Sequence, residues 1–445
     1  MSDSFKISSR ILILILFVAG CSDNESFDGE EGLDAELAGL LQEVNPDGMD
    51  GFILPDDGDY NNLPQDPRNP ITTEKVLLGR MLFHETALAN EPQNPIGLRT
   101  YSCGSCHNAS AAMQPGRRQG IAEGGLGFGS RGEGRYMNPD YQEQDIDAQP
   151  VRAPSTLNVA YQKNLLWNGM FGATGLNAGT ESNWTGDASV NLLGFEGVES
   201  QAIKGLEVHR MSASMDMMGE FGYLEMLREA FPGVEGDTLV SRVYLGLAIS
   251  AYVRTITTSQ APFQLWLKGN TNALTEQQKR GALIFFSSGN CVACHTGPGL
   301  NKMEFAAIGL ADLSGEDLVN IDLVNAPLGR ASFTGRTEDN YKFKIPQLYN
   351  LKDAPFLGHG SSVTSLSDMV TYFNEALPQK DLGADLLDPL FEPLGLVEEE
   401  VQDLTAFLME GLYDPNLSRH IPDYILSNNC FPNADGVSRV DLGCN

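Results

Sequence analysis

Basic residues are in short supply: 29 Lys and Arg stand against 59 Asp and Glu, a formal net charge of −30 over 445 residues. That balance excludes a nucleic-acid binder, whose phosphate contacts need Lys and Arg. It leaves an acidic surface able to steer a basic partner at low salt. Alternating apolar and polar runs are scarce, which argues against an all-β fold. The strongest apolar run, "ILILILFVAG" at residues 11–20, is too short to span a bilayer stably. Cysteine and histidine are rare as well, seven and six in all, so a motif that uses both repeatedly stands out. What is present is an apolar share of 42%, enough for a large core, and a length that predicts about three domains.

Lys6 and Arg10 precede the apolar run and give residues 1–21 the proportions of a secretory signal. The run ends in "VAGC", and small residues leading into Cys21 resemble a bacterial lipoprotein signal, in which that cysteine is lipidated. Ser22 beside it resembles the signals for outer-membrane retention. The alternative is an ordinary signal peptide cleaved nearby; either reading places the protein in the periplasm, an oxidising compartment. Residues 22–60, rich in Asp, Glu, Gly and Asn, read as an acidic linker. Cys430 and Cys444 flank a polar segment with no motif around them, and read as a disulfide stapling a tail over residues 426–445.

The other four cysteines lie in "CGSCH", residues 103–107, and "CVACH", residues 291–295. C-x-x-C-H is the pattern of covalent c-type haem attachment: two thiols add to the two vinyl groups, and the adjacent histidine ligates the iron. One zinc site built from both pairs would leave the histidines unexplained, and a dithiol redox pair does not need them. Cys103, Cys106, Cys291 and Cys294 are therefore expected to hold two haem c groups, with His107 and His295 as proximal ligands.

Each motif follows a helix signature. "TTEKVLLGRMLF" begins at Thr72 and "TEQQKRGALIFF" at Thr275, each with a capping threonine, a charged first turn and an apolar face. "RVYLGLAISAYVRTI" and "EEEVQDLTAFLMEGL" read as further amphipathic helices. The expected fold is mainly α. It comprises two cytochrome c-like helical haem domains with long irregular loops, over residues 61–260 and 261–425, from an internal duplication.

Five segments carry a resemblance: "NPITTEKVLLGRMLFHETAL", "RAPSTLNVAYQKNLLWNG", "APFQLWLKGNTNALTEQQKRGALIFF", "FKIPQLYNLKDAPFLGHG" and "LDPLFEPLGLVEEEVQDLTAFL". From about residue 64 to 412 the chain resembles the bacterial dihaem cytochrome c peroxidases, which include the MauG-type enzymes. The resemblance implies that the haem of His107 reacts with hydrogen peroxide and that of His295 relays electrons. It also implies a tryptophan between the haems, here Trp167 of "WNGM"; Trp184 and Trp266 lack such context and read as packing.

Family members that need reductive activation carry a displaceable histidine after the first motif. Here no histidine lies between His107 and His209, which implies an open pocket. Counting back from "AFPG" to the family's catalytic glutamate reaches Glu207, with His209 and Arg210 beside it; any of the three could assist O–O cleavage, and His209 could instead cap the iron. For the second haem, the distal-ligand position falls on Phe373, which cannot ligate. Met369 and Tyr372 are the candidates, against no protein ligand at all. His359 reads as structural, and His84 and His420 as surface or packing residues.

An interdomain calcium is common in the family. The asparagine that helps to hold it is Arg152 here, so calcium is held by backbone carbonyls, replaced by Arg152, or absent, and Arg152 could otherwise pair with a haem propionate. Two functions are in play: peroxide reduction with electrons from a small cytochrome c or cupredoxin, and MauG-type oxidation of side chains on a partner protein. A plain two-haem electron carrier is the non-enzymatic alternative. Expected partners are hydrogen peroxide, that donor or protein substrate, a lipid anchor through Cys21 and a second copy of the chain.

Overall fold

A computed structural model describes residues 30–444; the signal run, Cys21 and the first part of the acidic stretch lie outside them. The helices are α1 (Glu30–Val44), α2 (Thr73–His84), α3 (Gly197–Val208), α4 (Met215–Phe221), α5 (Tyr223–Ala230) and α6 (Arg242–Arg254). They continue with α7 (Pro262–Leu267), α8 (Glu276–Phe286), α9 (Ala331–Thr334), α10 (Leu366–Glu375), α11 (Glu398–Ala406) and α12 (Gly436–Asp441). Strand is confined, among the described residues, to two antiparallel pairs: β1 (Gly125–Leu126) with β2 (Tyr136–Met137), and β3 (Phe305–Ala306) with β4 (Phe343–Lys344). The mainly helical expectation holds.

Two large apolar cores divide the helices. The first gathers α2, α3, α5 and α6 around residues such as Leu78, Leu206, Leu227 and Tyr252. The second gathers α1, α7, α8, α10 and α11 around Leu41, Phe263, Phe285 and Phe407. Matching local chemistry starts a helix in each. Thr72 Oγ1 accepts from the Lys75 amide at 3.3 Å. Thr275 and Gln278 form a reciprocal capping box at 3.3 and 3.0 Å. A glycine then permits a close crossing in each. A Cβ on Gly79 of α2 would stand 2.9 Å from Tyr252 Cβ of α6, and one on Gly281 of α8 would stand 2.8 Å from Phe407 Cβ just past α11.

The termini depart from the expected domain boundaries. From Glu30 on, the stretch read as a linker is folded: α1 lies on α8, with Leu37 and Leu41 fully buried. Asp34 accepts from Trp266 Nε1 at 2.7 Å and pairs with Lys279 at 2.8 Å. The acidic composition hid an apolar stripe, Leu33, Leu37, Leu40, Leu41 and Val44, at helical spacing. Conversely, Leu417, Ile421 and Leu426 pack into the first core, not the second. The Cys430–Cys444 disulfide forms as expected. The tail it closes is docked on the first half: buried Asp435 pairs with buried Arg135 at 3.3 Å, and Asp441 accepts from the Phe128 and Gly129 amides at 2.8 and 2.9 Å. Each end of the described chain thus completes the opposite half.

Candidate active site

Both cysteine motifs form a single 3-10 turn, Cys103–Ser105 and Cys291–Ala293, after the α2 and α8 segments. The tail buttresses the first turn. Ser102 and Ser105 hydroxyls donate to the Pro432 carbonyl at 2.9 and 3.3 Å, and a Cβ on Gly104 would stand 2.9 Å from Pro432 Cβ. The spacer of "CGSCH" has glycine where Pro432 covers it; Val292, its counterpart in "CVACH", is half-buried against the second core.

The four thiols are unpaired. Burial pushes Cys103 and Cys291 up to about 12 and Cys106 to about 11, and raises Cys294, so all four are neutral at pH 7. Burial also holds His107 and His295 down to about 4, as neutral imidazoles. The Nδ1 of His107 bonds the Met113 carbonyl and that of His295 the Leu300 carbonyl, each at 3.1 Å. A carbonyl on Nδ1 fixes the tautomer and leaves Nε2 to ligate a metal. Paired half-buried thiols beside such a histidine fit an attached haem.

Each motif opens on its own cavity. The first, about 140 Å³, is lined by Cys103, Cys106 and His107 and, from α3, by Gln201, Ala202, Gly205 and Leu206, with His209 just beyond the helix. Arg210 follows with φ 55°, a left-handed turn that ends the helix and leaves His209 on the cavity face. His209 Nδ1 meets Asp147 Oδ2 at 2.7 Å; Asp147 is buried and lines the same cavity. Burial works to lower the His209 pKa, but the Asp147 charge and hydrogen bond more than offset it, and the net shift is upward.

Glu207 and Arg210 do not join it. Glu207 stands off the 202–205–206–209 stripe, with its side chain 57% exposed and bound to Lys204 at 2.6 Å. The sequence count reached the right helix turn but the wrong side of it. The Arg210 guanidinium turns to buried Glu123 and to the Asp145 carbonyl, the latter at 2.7 Å. Asp147, which the sequence reading missed, lies in an irregular loop 62 residues before His209.

The second cavity, about 250 Å³, is lined by Cys291, Cys294, His295 and the α10 stripe Leu366, Met369, Val370 and Phe373. Tyr372 does not line this cavity. It lies off the stripe, its hydroxyl donates to the Ile308 carbonyl, and burial raises its pKa to about 12. Met369 is on the wall. His359 lines this cavity too and bonds Asp312 at 3.1 Å while stacking on Phe343. His84 and His420 are both buried packing residues. Trp266 is buried against Phe263, whereas half-buried Trp184 donates to Thr180 at 3.1 Å.

Trp167 lines the second cavity, where its Nε1 donates to the Arg152 carbonyl at 2.7 Å and its own carbonyl accepts from the Lys344 amide at 2.8 Å. Arg152 is almost fully buried and does not stand free for a propionate. Its guanidinium donates to Gln114 Oε1, Arg117 O and Pro115 O at 3.0, 2.7 and 2.7 Å, while its amide donates to the His359 carbonyl at 2.8 Å. It thereby bridges the two halves with a fixed positive charge. Among the described residues no acidic cluster is placed to hold a metal ion.

Residues 73–272 match the di-haem cytochrome c peroxidase family. Cytochrome c peroxidase Ccp of Escherichia coli is 25% identical over 80% of this chain and 63% of its own length. Methylamine utilization protein MauG of Methylorubrum extorquens is 27% identical over 78% and 80%. Among solved structures, a MauG-like protein associated with microbial copper homeostasis shares the fold with a TM-score of 0.60, at 24% identity over 83% of this chain and 98% of that one. The diheme peroxidase BthA of Burkholderia thailandensis matches with a TM-score of 0.51, at 19% identity over 80% and 89%. With two C-x-x-C-H turns, each opening on its own apolar cavity, and the match over residues 73–272, the chain is similar to the di-haem cytochrome c peroxidases.

Proposed function

We propose that the protein is a dihaem c peroxidase that converts one hydrogen peroxide, two protons and two electrons into two waters. The electrons come from a small periplasmic cytochrome c or cupredoxin. One observation carries the reading: His209, held by Asp147, lies on the wall of the cavity that His107 lines. Haem attached there supplies the iron that receives peroxide, and haem attached at His295 supplies the electron relay. Asp147 fixes the proton of His209 on Nδ1, so Nε2 can accept a proton from peroxide and return it to the departing oxygen. The apolar α10 stripe lets Met369 or close packing shut the second cavity to peroxide, and Trp167 offers an oxidisable ring on its wall.

The repeated cap, glycine crossing and histidine–carbonyl bond support two haem domains from an internal duplication. An acidic surface suits a donor with a basic docking patch. Export to the periplasm and lipidation at Cys21, whether or not the protein also dimerises, belong to the same reading and rest on the sequence alone. A second reading, MauG-type oxidation of a partner protein, is favoured by one feature: Tyr341 lines the second cavity as Trp167 does, so two oxidisable side chains face it.

Mixing the oxidised protein with one equivalent of peroxide tests the first cavity. The Soret band should change at once, without added reductant. A protein inert until one electron is supplied would overturn the open cavity. Sustained turnover with a small cytochrome supports the first reading, and an oxidised Trp or Tyr on a co-purified partner the second.

A further inference from the structure

Lys344 stands on the wall that the two cavities share. Of the residues lining both, which are Pro154, Ser155, Val159 and Lys344, it alone carries a charge. It is 6% exposed, and its ammonium donates to Gln162 Oε1. Gln162 is itself buried and commits its Nε2 to the Ile345 carbonyl at 3.1 Å, which fixes Oε1 toward the lysine. No carboxylate pairs with Lys344 among the described residues, and burial pushes its pKa down to about 7.

The other cations on these walls are engaged. Arg152 donates to carbonyl and amide oxygens, Lys380 pairs with Asp312 at 2.7 Å, and His209 bonds Asp147. A buried ammonium with one neutral partner is costly unless an anion completes it. An ammonium has three donors; with one on Gln162, two remain.

We propose that Lys344 receives one propionate carboxylate from the haem of each cavity, and so forms a shared counter-ion that couples the charges of the two irons. The inference rests on the reading that each cavity holds a haem. One positive charge beside both groups stabilises the reduced form of each, so it raises both reduction potentials. It also joins them across the wall where the Lys344 amide bonds the Trp167 carbonyl.

Spectroelectrochemical titration of the holoprotein tests this without reference to turnover. Mass spectrometry first counts the haems. In Lys344→Met both midpoint potentials should fall, each by about tenfold in the reduction equilibrium, about 59 mV for a one-electron couple. Lys344→Arg, which keeps the charge, should restore them. If Lys344→Met does not mature, Gln162→Glu carries the test: it keeps the lysine but supplies a carboxylate, and should lower both potentials in the same direction. Two attached haems with unmoved potentials would overturn the counter-ion and leave the peroxidase reading intact. Movement of one potential alone would overturn the sharing. A chain that carries no haem would overturn both readings.

Discussion

The α3 and α10 segments present the same spacing to their cavities and finish it differently. Ala202, Gly205, Leu206 and His209 line the first; Leu366, Met369, Val370 and Phe373 line the second. Both sets follow i, i+3, i+4, i+7, the one face of a helix that can look at one wall. At the last position the first half has an imidazole held by a buried carboxylate, and the second has a benzyl ring. At the second position glycine leaves room where Met369 brings a thioether. On these two helix faces the first stripe ends in a group that can move a proton and the second carries none, although His359 reaches the second cavity from another segment.

Making the first stripe end like the second should give the largest effect. His209→Phe removes the proton-transfer group but keeps an aromatic side chain of the type that Phe373 places on the other wall. Peroxide turnover should fall by about 100- to 10,000-fold, the usual worth of general acid–base catalysis, with both haems still attached by mass. Near-normal turnover would mean that the proton moves elsewhere and that the two walls do not differ in function.

The glycine crossings sharpen the comparison at the level of packing. Alanine is favoured over glycine inside a helix by up to about 1 kcal/mol. At Gly79 and Gly281, however, the new methyl meets the backbone and Cβ of the facing segment, and overpacking costs about 1–3 kcal/mol. Gly79→Ala and Gly281→Ala should each destabilise their own half by a net of up to about 2 kcal/mol in denaturant unfolding. A loss at only one glycine would show that the two crossings are not equivalent.

Much of this was legible beforehand, and the failures share causes. The C-x-x-C-H turns and the capped helices before them are encoded over five to twelve neighbouring residues, where local pattern is strongest. Glu207 was placed by counting to the correct helix and missed the cavity face by phase, since one residue turns a side chain by about 100°, whereas the count that fell on Phe373 reached the wall and its neighbour Tyr372 did not. Asp147 has no periodic context, and only the folded loop brings it to His209. Composition misled at α1, whose acidic surface concealed an apolar stripe. It was silent at the tail, where Pro432 closes over Gly104 from more than 300 positions away. Length is silent in the same way on how each terminus packs into the core of the other half.

The smallest effect concerns the pH profile, and it separates the role of Asp147 from that of His209. His209 must be neutral at Nε2 to take a proton from peroxide. The Asp147 carboxylate favours the imidazolium, so against the opposing pull of burial it holds the pKa above the ordinary 6.5. Activity should therefore fall as pH drops through that raised value. The linked stability has the opposite sense: the Asp147–His209 attraction is fully present below the unfolded pKa and is lost as pH rises through the folded one. In Asp147→Asn the carboxylate is gone and burial acts alone, so the acid limb of kcat/KM should move to lower pH. The amide can still bond Nδ1, but it no longer insists on the Nδ1–H tautomer, so the plateau should also drop. A merely structural Asp147 would lower the plateau and leave the acid limb where it was; that outcome would reduce the pair to packing and leave the basicity of His209 to be explained by the haem side of the cavity.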